Sequence, residues 1–286
     1  MAGNKMITSM NKKTLKRLLV GELSVKRVML SAIFIYTCVA LYGVFGSNRL
    51  VFQPQPSSYK DTKEILKLTT SDGVQISATY LPNPKATYTI LYSHGNAEDL
   101  GDVQLALEDL QKAGFAVFAY DYHGYGTSKG TSTETNTYRD IDAAYDYLTQ
   151  KLKVPPDRIL AHGRSVGGGP TTDLVTRKPV AGIILESPFV TAFRVLTHYP
   201  IFPFDKFQNL AKISKVHCPV LVIHGKADRT IPFWHGQKLF ERANEPKRYL
   251  WLEKANHDNV PFVDPPLYAK TLREFSDLVS ETQKKK

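Results

Sequence analysis

Between residues 62 and 282, short apolar runs alternate with longer stretches in which apolar positions recur at helical spacing. Residues 87–92, 116–120, 158–161, 181–185, 219–223 and 248–252 are rich in Val, Ile, Leu and Tyr, with little polar alternation. That is the pattern of strands buried on both faces. Helical patterns fall near 102–113, 138–152, 166–176, 234–243 and 266–280. Strands alternating with helices at this spacing predict a mostly parallel sheet with right-handed crossovers and helices on both faces. Ahead of it, 65–69 and 74–81 read as a hairpin around Ser71-Asp72-Gly73, because Asp-Gly supplies the positive φ a tight turn needs. The interval 189–213 breaks the alternation. It has no clear strand but holds Phe193, Tyr199, Phe202, Phe204 and Phe207, so it is expected to form a short cap. Its aromatics either pack the cap down or line a pocket for an acyl chain.

A different pattern occupies residues 28–46, VMLSAIFIYTCVALYGVFG, which carry no charge and only Ser31 and Thr37 as polar breaks. At 1.5 Å per residue, a helix of this length reaches roughly the ~30 Å of a bilayer's hydrocarbon core. A buried core helix would keep a polar face. The reading is a transmembrane helix acting as an uncleaved signal anchor; a cleaved signal peptide competes, but its leader would be unusually long. The expected organisation is a basic segment 1–27, the span 28–46, a Pro- and Ser-bearing linker 47–61, a catalytic domain 62–282 and a basic tail 283–286.

Charge follows the same division. The formal net charge is +10, but residues 1–27 hold Lys5, Lys12, Lys13, Lys16, Arg17, Lys26 and Arg27 against Glu22 alone, and the tail adds Lys284, Lys285 and Lys286. The body is close to neutral, which excludes a polyanion-binding surface and leaves no nucleic-acid partner. Basic residues ahead of the span predict a cytoplasmic N-terminus and an extracytoplasmic catalytic domain. Cys38 and Cys218, one on each side of the linker, are not expected to pair, so no disulfide scaffold is implied.

The chemistry concentrates at strand ends. Gly163-Arg164-Ser165-Val166-Gly167 is a G-x-S-x-G that follows a predicted strand and opens a predicted helix. That is the context of a nucleophile elbow, where a sharp turn leaves no room for side chains two positions either side of the serine. A hydroxyl needs a base to take its proton and a carboxylate to orient that base. In the chain order serine, acid, histidine, Asp228 follows the strand 219–223 and His257 follows the strand 248–252. Parallel strands send all these loops to one end of the sheet. Glu186 and Asp258 are rival acids. His235 is a weaker candidate base, His198 and His217 precede the acid, and His162 and His224 read as structural. The backbone N–H groups of Val166 and of Asn96, in the loop after residues 87–92, are the candidate oxyanion hole. Neither a phosphate-binding loop nor a metal-ligand spacing of His, Cys and carboxylates occurs, and this chemistry calls for no metal and no cofactor.

The segments SHGNAEDLG, DYHGYGTSKG, DIDAAYDYL, GRSVGGGP, ILESPF, ADRTIP, LFERANEP and ANHDN resemble those of the membrane-associated alpha/beta-hydrolase-domain proteins that include protein depalmitoylases, over about residues 62–275. Similar motifs occur in serine aminopeptidase-like and lipase-like bacterial proteins. The resemblance implies the alpha/beta-hydrolase fold with a short cap, a triad at Ser165, Asp228 and His257, and cleavage of acyl esters or thioesters. Two features depart from the depalmitoylases: an apolar span replaces a cysteine-rich lipidated N-terminus, and Arg164 stands where they carry Gln. The expected activity is ester or thioester hydrolysis through an acyl-enzyme. A peptidase, or a non-catalytic interaction module on the same fold, stands as the alternative. Acyl length and oligomeric state are not legible.

Overall fold

The structure, a computed structural model, describes residues 24–285, so the basic segment up to residue 23 and Lys286 lie outside the described residues. The chain forms two compact units, one ending at Ser47 and the other beginning at Asn48. The first is helix α1, Val25–Phe45, capped by Ser24, whose hydroxyl accepts the Arg27 N–H. Only Gly43 is buried within it. The Thr37 hydroxyl is satisfied inside the helix by the Ile33 carbonyl, 2.8 Å away. Among the described residues, α1 alone is long and apolar enough to cross a membrane, starting three residues earlier than the sequence pattern indicated.

The second unit is built on eight strands: β1 Leu66–Thr69, β2 Gln75–Leu81, β3 Thr89–Ser93, β4 Ala116–Tyr120, β5 Ile159–Arg164, β6 Gly182–Glu186, β7 Val220–Gly225 and β8 Lys247–Leu252. They lie in the order β1-β2-β4-β3-β5-β6-β7-β8. The hairpin strand β1 runs antiparallel to β2, β2 antiparallel to β4, and every other pairing is parallel. This is an alpha/beta-hydrolase fold with a mostly parallel sheet. From β3 the chain first crosses to β4 on one side, then returns to β5 on the other. The loops leaving β3 and β5 therefore diverge and open a crevice at the carboxyl end of the sheet.

The longer helices of this unit are α2 Gln104–Lys112, α3 Glu134–Asp146, α4 Gly168–Arg177, α5 Trp234–Arg242 and α6 Pro265–Lys284. Successive strand residues face opposite sides. Ile90, Val117 and Ile184 pack with Leu107 and Leu110 of α2 and Leu272 and Phe275 of α6. Leu91, Phe118 and Ile159 pack with Ile141 and Ala144 of α3 and Leu174 of α4. Helix α3 begins four residues before the expected start because Thr133 caps it, accepting the Asn136 N–H, and it runs on into a π-helical turn, Tyr147–Lys151.

Within the segment 47–61, read from sequence as linker, Phe52 and Tyr59 are fixed to the domain while residues 53–58 are exposed. Phe52 is buried and meets Phe207 edge-on, ring centroids 5.9 Å apart. The Tyr59 hydroxyl donates to Asp121. In the cap, Phe207 is fully buried among Phe52, Tyr138 and Phe189. Phe202 and Phe204 stack on each other and line a cleft of about 710 Å³, while Tyr199 is exposed. Phe207 thus packs the cap down, whereas the cleft lined by Phe202 and Phe204 includes none of Ser165, Asp228 and His257. Phe207→Ala should therefore cost about 3–5 kcal/mol, as for other buried aromatics. A denaturant titration showing a loss below about 1 kcal/mol would mean that the cap does not depend on this anchor.

Candidate active site

Ser165 lies in a turn that sequence alone makes tight. Strand β5 ends at Arg164, a 3-10 turn covers Ser165–Gly167, and α4 proper starts at Gly168, two residues later than expected. Ser165 has φ +52°, the left-handed region that a side-chain-bearing residue adopts at a cost. The flanking glycines are required by contact. A Cβ on Gly163 would lie 2.5 Å from the Gly167 carbonyl oxygen, and one on Gly167 would run into the carbonyl oxygen of Ser93. The serine turn is thus wedged against the end of β3.

His257 and Asp228 reach the serine from the loops after β8 and β7. His257 Nε2 is 3.0 Å from Ser165 Oγ, and His257 Nδ1 is 2.8 Å from Asp228 Oδ2. With Nδ1–H donating to the carboxylate, Nε2 is left to accept the serine proton. The other oxygen of Asp228, Oδ1, accepts the N–H groups of Thr230 and Ile231 at 2.9 and 2.8 Å. Burial alone would raise the Asp228 pKa. Hydrogen bonds from His224 and His257, with the charge of His257, outweigh it and hold the carboxyl well below the usual carboxylate range. His224 supports the acid from its own strand: it lies 3.5 Å from Asp228 Oδ2, and its Nε2 bonds the Ile231 carbonyl at 2.9 Å.

The structure also places the residues set aside. Glu186 is buried at the end of β6, where the Tyr268 hydroxyl donates to it at 2.6 Å, and it makes no hydrogen bond to His257. Asp258 is exposed. His235 accepts the Val190 N–H through Nδ1 at 3.2 Å, and its pKa is pushed down to about 3 by burial first, then by His224 and Arg194. It stays neutral and structural at neutral pH.

Asn96 follows β3, between Gly95 and Ala97, the latter at φ +57°. Its side-chain oxygen is held twice, by the Tyr125 hydroxyl at 2.6 Å and by the Gln53 N–H at 3.0 Å. Sequence reasoning missed Gln53, Tyr125 and Glu98, and the pairing of Arg164 with Glu98 and Glu186. That pairing carried a signal. An arginine inside an elbow that must be buried needs anions, and Glu98 and Glu186 both stand at or just beyond strand ends.

Among the described residues, no group of His, Cys, Asp and Glu could hold a metal ion, and no disulfide joins Cys38 to Cys218.

Residues 83–210 match the family described as serine aminopeptidase, S33. The chain is 39% identical over 231 residues to alpha/beta hydrolase domain-containing protein 17B of Homo sapiens, covering 79% of this chain and 78% of that protein. It is 41% identical over 202 residues to alpha/beta hydrolase domain-containing protein 17C of Mus musculus, covering 69% and 61%. Its fold is similar to that of the esterase Pf2001 of Pyrococcus furiosus, with a TM-score of 0.69 and 19% identity over 80% of this chain and 98% of that one. The identity to protein 17B holds over more than two thirds of both chains, and the chain belongs to the alpha/beta hydrolase domain-containing protein family.

Proposed function

We propose that the chain is a membrane-anchored serine hydrolase that cleaves carboxylic ester or thioester bonds through an acyl-enzyme. The observation that carries this reading is the series Ser165–His257–Asp228, with links of 3.0 and 2.8 Å, at the carboxyl end of a parallel sheet. His257 takes the Ser165 proton as Oγ attacks the substrate carbonyl. Asp228 holds the Nδ1–H tautomer and stabilises the imidazolium that forms. The developing oxyanion is received by the backbone N–H groups of Val166 and Asn96, where losing one such donor typically costs roughly 2.7–4 kcal/mol of barrier. The imidazolium then protonates the leaving alcohol or thiol, and water attacks the acyl-enzyme with the same base. The apolar helix α1, long enough to cross a membrane, supports a lipidic substrate.

Amide cleavage is the second reading, favoured by the serine aminopeptidase description of the family matched by residues 83–210. Parallel assays with p-nitrophenyl esters, acyl thioesters and aminoacyl amides distinguish the classes.

A fluorophosphonate probe should label the wild-type protein and spare Ser165→Ala, with ester turnover falling at least ~10³-fold. Equal labelling of both would sink the nucleophile assignment. Labelling of neither would favour a binding module.

Asp228→Asn should lower kcat by about 10⁴-fold, because the amide favours the wrong histidine tautomer. The depressed Asp228 pKa stabilises the fold above the unfolded value of about 4 and ceases to do so as pH falls through the folded one. The stability gap between wild type and Asp228→Asn should therefore be widest near neutrality and close in acid. A gap that widened on acidification would contradict the ionised, hydrogen-bonded carboxylate.

The anchor reading makes residues 28–46 a single span with the hydrolase domain on the extracytoplasmic side. The chain should stay in the membrane pellet through alkaline carbonate extraction and leave it when 28–46 are deleted. Protease digestion of sealed vesicles should leave the domain intact when that side is inside, and digestion from the cytoplasmic side would reverse the orientation.

A further inference from the structure

We propose that Arg164, the residue immediately before the serine, is a positioning residue: its buried guanidinium ties the loop after β3 to the loop carrying His257 and so sets where the imidazole meets Ser165. The inference rests on the serine-hydrolase reading above.

Arg164 is 7% exposed at the end of β5. Its Nη1 donates to Glu98 Oε1. Its Nη2 donates to the backbone carbonyl of His257 at 3.2 Å. Nε lies 3.5 Å from Glu186 Oε1, at the end of the neighbouring strand. Glu98 uses its second oxygen to accept the Gly95 N–H at 2.9 Å, one residue before Asn96. A continuous set of bonds therefore runs from the candidate oxyanion loop through Glu98 and Arg164 to the backbone of the histidine. The loop has yielded space for it: a Cβ on Gly95 would stand 2.6 Å from Glu98 Oε2 and 2.8 Å from Arg164 Nη1.

A guanidinium spreads its donors over three nitrogens in a fixed planar fork, whereas an ammonium's donors all sit on one atom at the end of a flexible stem. A buried ion pair is poor value for stability alone, since apolar residues of similar size often serve as well. What the guanidinium supplies here is geometry, because it bonds the main chain of the residue that bears the imidazole. The fourth neighbour, Asp258 Oδ1, is 3.6 Å from Nη2 and 84% exposed, so solvent and salt screen it.

The test uses the full chain in detergent, with active sites counted by fluorophosphonate and rates expressed per labelled site. Arg164→Gln should lower kcat by about 10- to 100-fold, the scale of a misplacement near 1 Å, with KM changed less than about threefold. Arg164→Lys keeps the charge without the fork. It should also lose kcat per labelled site with KM again changed less than about threefold, a split that a purely structural role would not produce. Wild-type kcat per site in either variant overturns the inference, and where Arg164→Gln yields no folded protein, Arg164→Lys decides it. A wild-type protein that neither labels nor turns over ester would overturn the hydrolase reading and this one with it.

Discussion

The contact on which the site depends is the approach of Gly167 to the carbonyl oxygens of Ser93 and His94. Two backbones can come this close only where no Cβ intervenes, and that closeness joins the turn after β5 to the end of β3. The left-handed conformation of Ser165 follows from the same squeeze, since the chain must reverse from strand to helix within a 3-10 turn. Strain at one residue persists because the surrounding sheet over-determines it. β5 lies between β3 and β6, both parallel to it, and neither end of the turn can relax without breaking a ladder.

Electrostatics then separates carboxylates that look alike in composition. Asp228 sits among donors: two backbone N–H groups, His257 and the nearby His224, which hold it ionised and aimed. Glu186, equally buried, has given its oxygens to Tyr268 and the neighbourhood of Arg164. For Glu186, too, burial favours the neutral acid, yet His162, 3.4 Å away, the charge of Arg164 and the Tyr268 hydroxyl lower its pKa. The two acids differ in what their loops bring within reach, not in chemistry. A rule of chain order selects between them only because it summarises which loop opens toward the serine.

The fold was legible because its strands are buried on both faces: apolar runs of the right length mark each of β3 to β8 to within two residues at its start. The end of β5 was less legible. Gly163 and Arg164 read as part of the turn, yet they continue the ladder opposite Leu185 and Glu186. Ladder bonds come from a neighbouring strand distant in sequence, and no local propensity reports them. Phe52 and Gln53 were lost to the linker for a related reason. Their neighbours are prolines and serines, and their partners, Phe207 and Asn96, lie far along the chain. The meeting of Ser165, Asp228 and His257 at one end of the sheet was visible because each follows its own strand end. The side chains that hold them are fixed by one another, so they emerge only in three dimensions.

An anchor of the kind proposed for α1 asks little of the structure around it. Its Thr37 hydroxyl is satisfied by the Ile33 carbonyl one turn back, so this group adds no unpaired donor within the hydrocarbon. Its effect on a membrane-borne substrate would come from effective concentration: confinement to the same bilayer replaces three-dimensional search without any new contact. That gain is independent of the geometry at Ser165, which is held entirely by loops of the second unit. Anchoring and chemistry are therefore separable in principle. A substrate confined to the bilayer would feel loss of the span mainly as a rise in the amount needed for half-maximal rate, whereas a small soluble ester would report the unaltered relay of Ser165, His257 and Asp228.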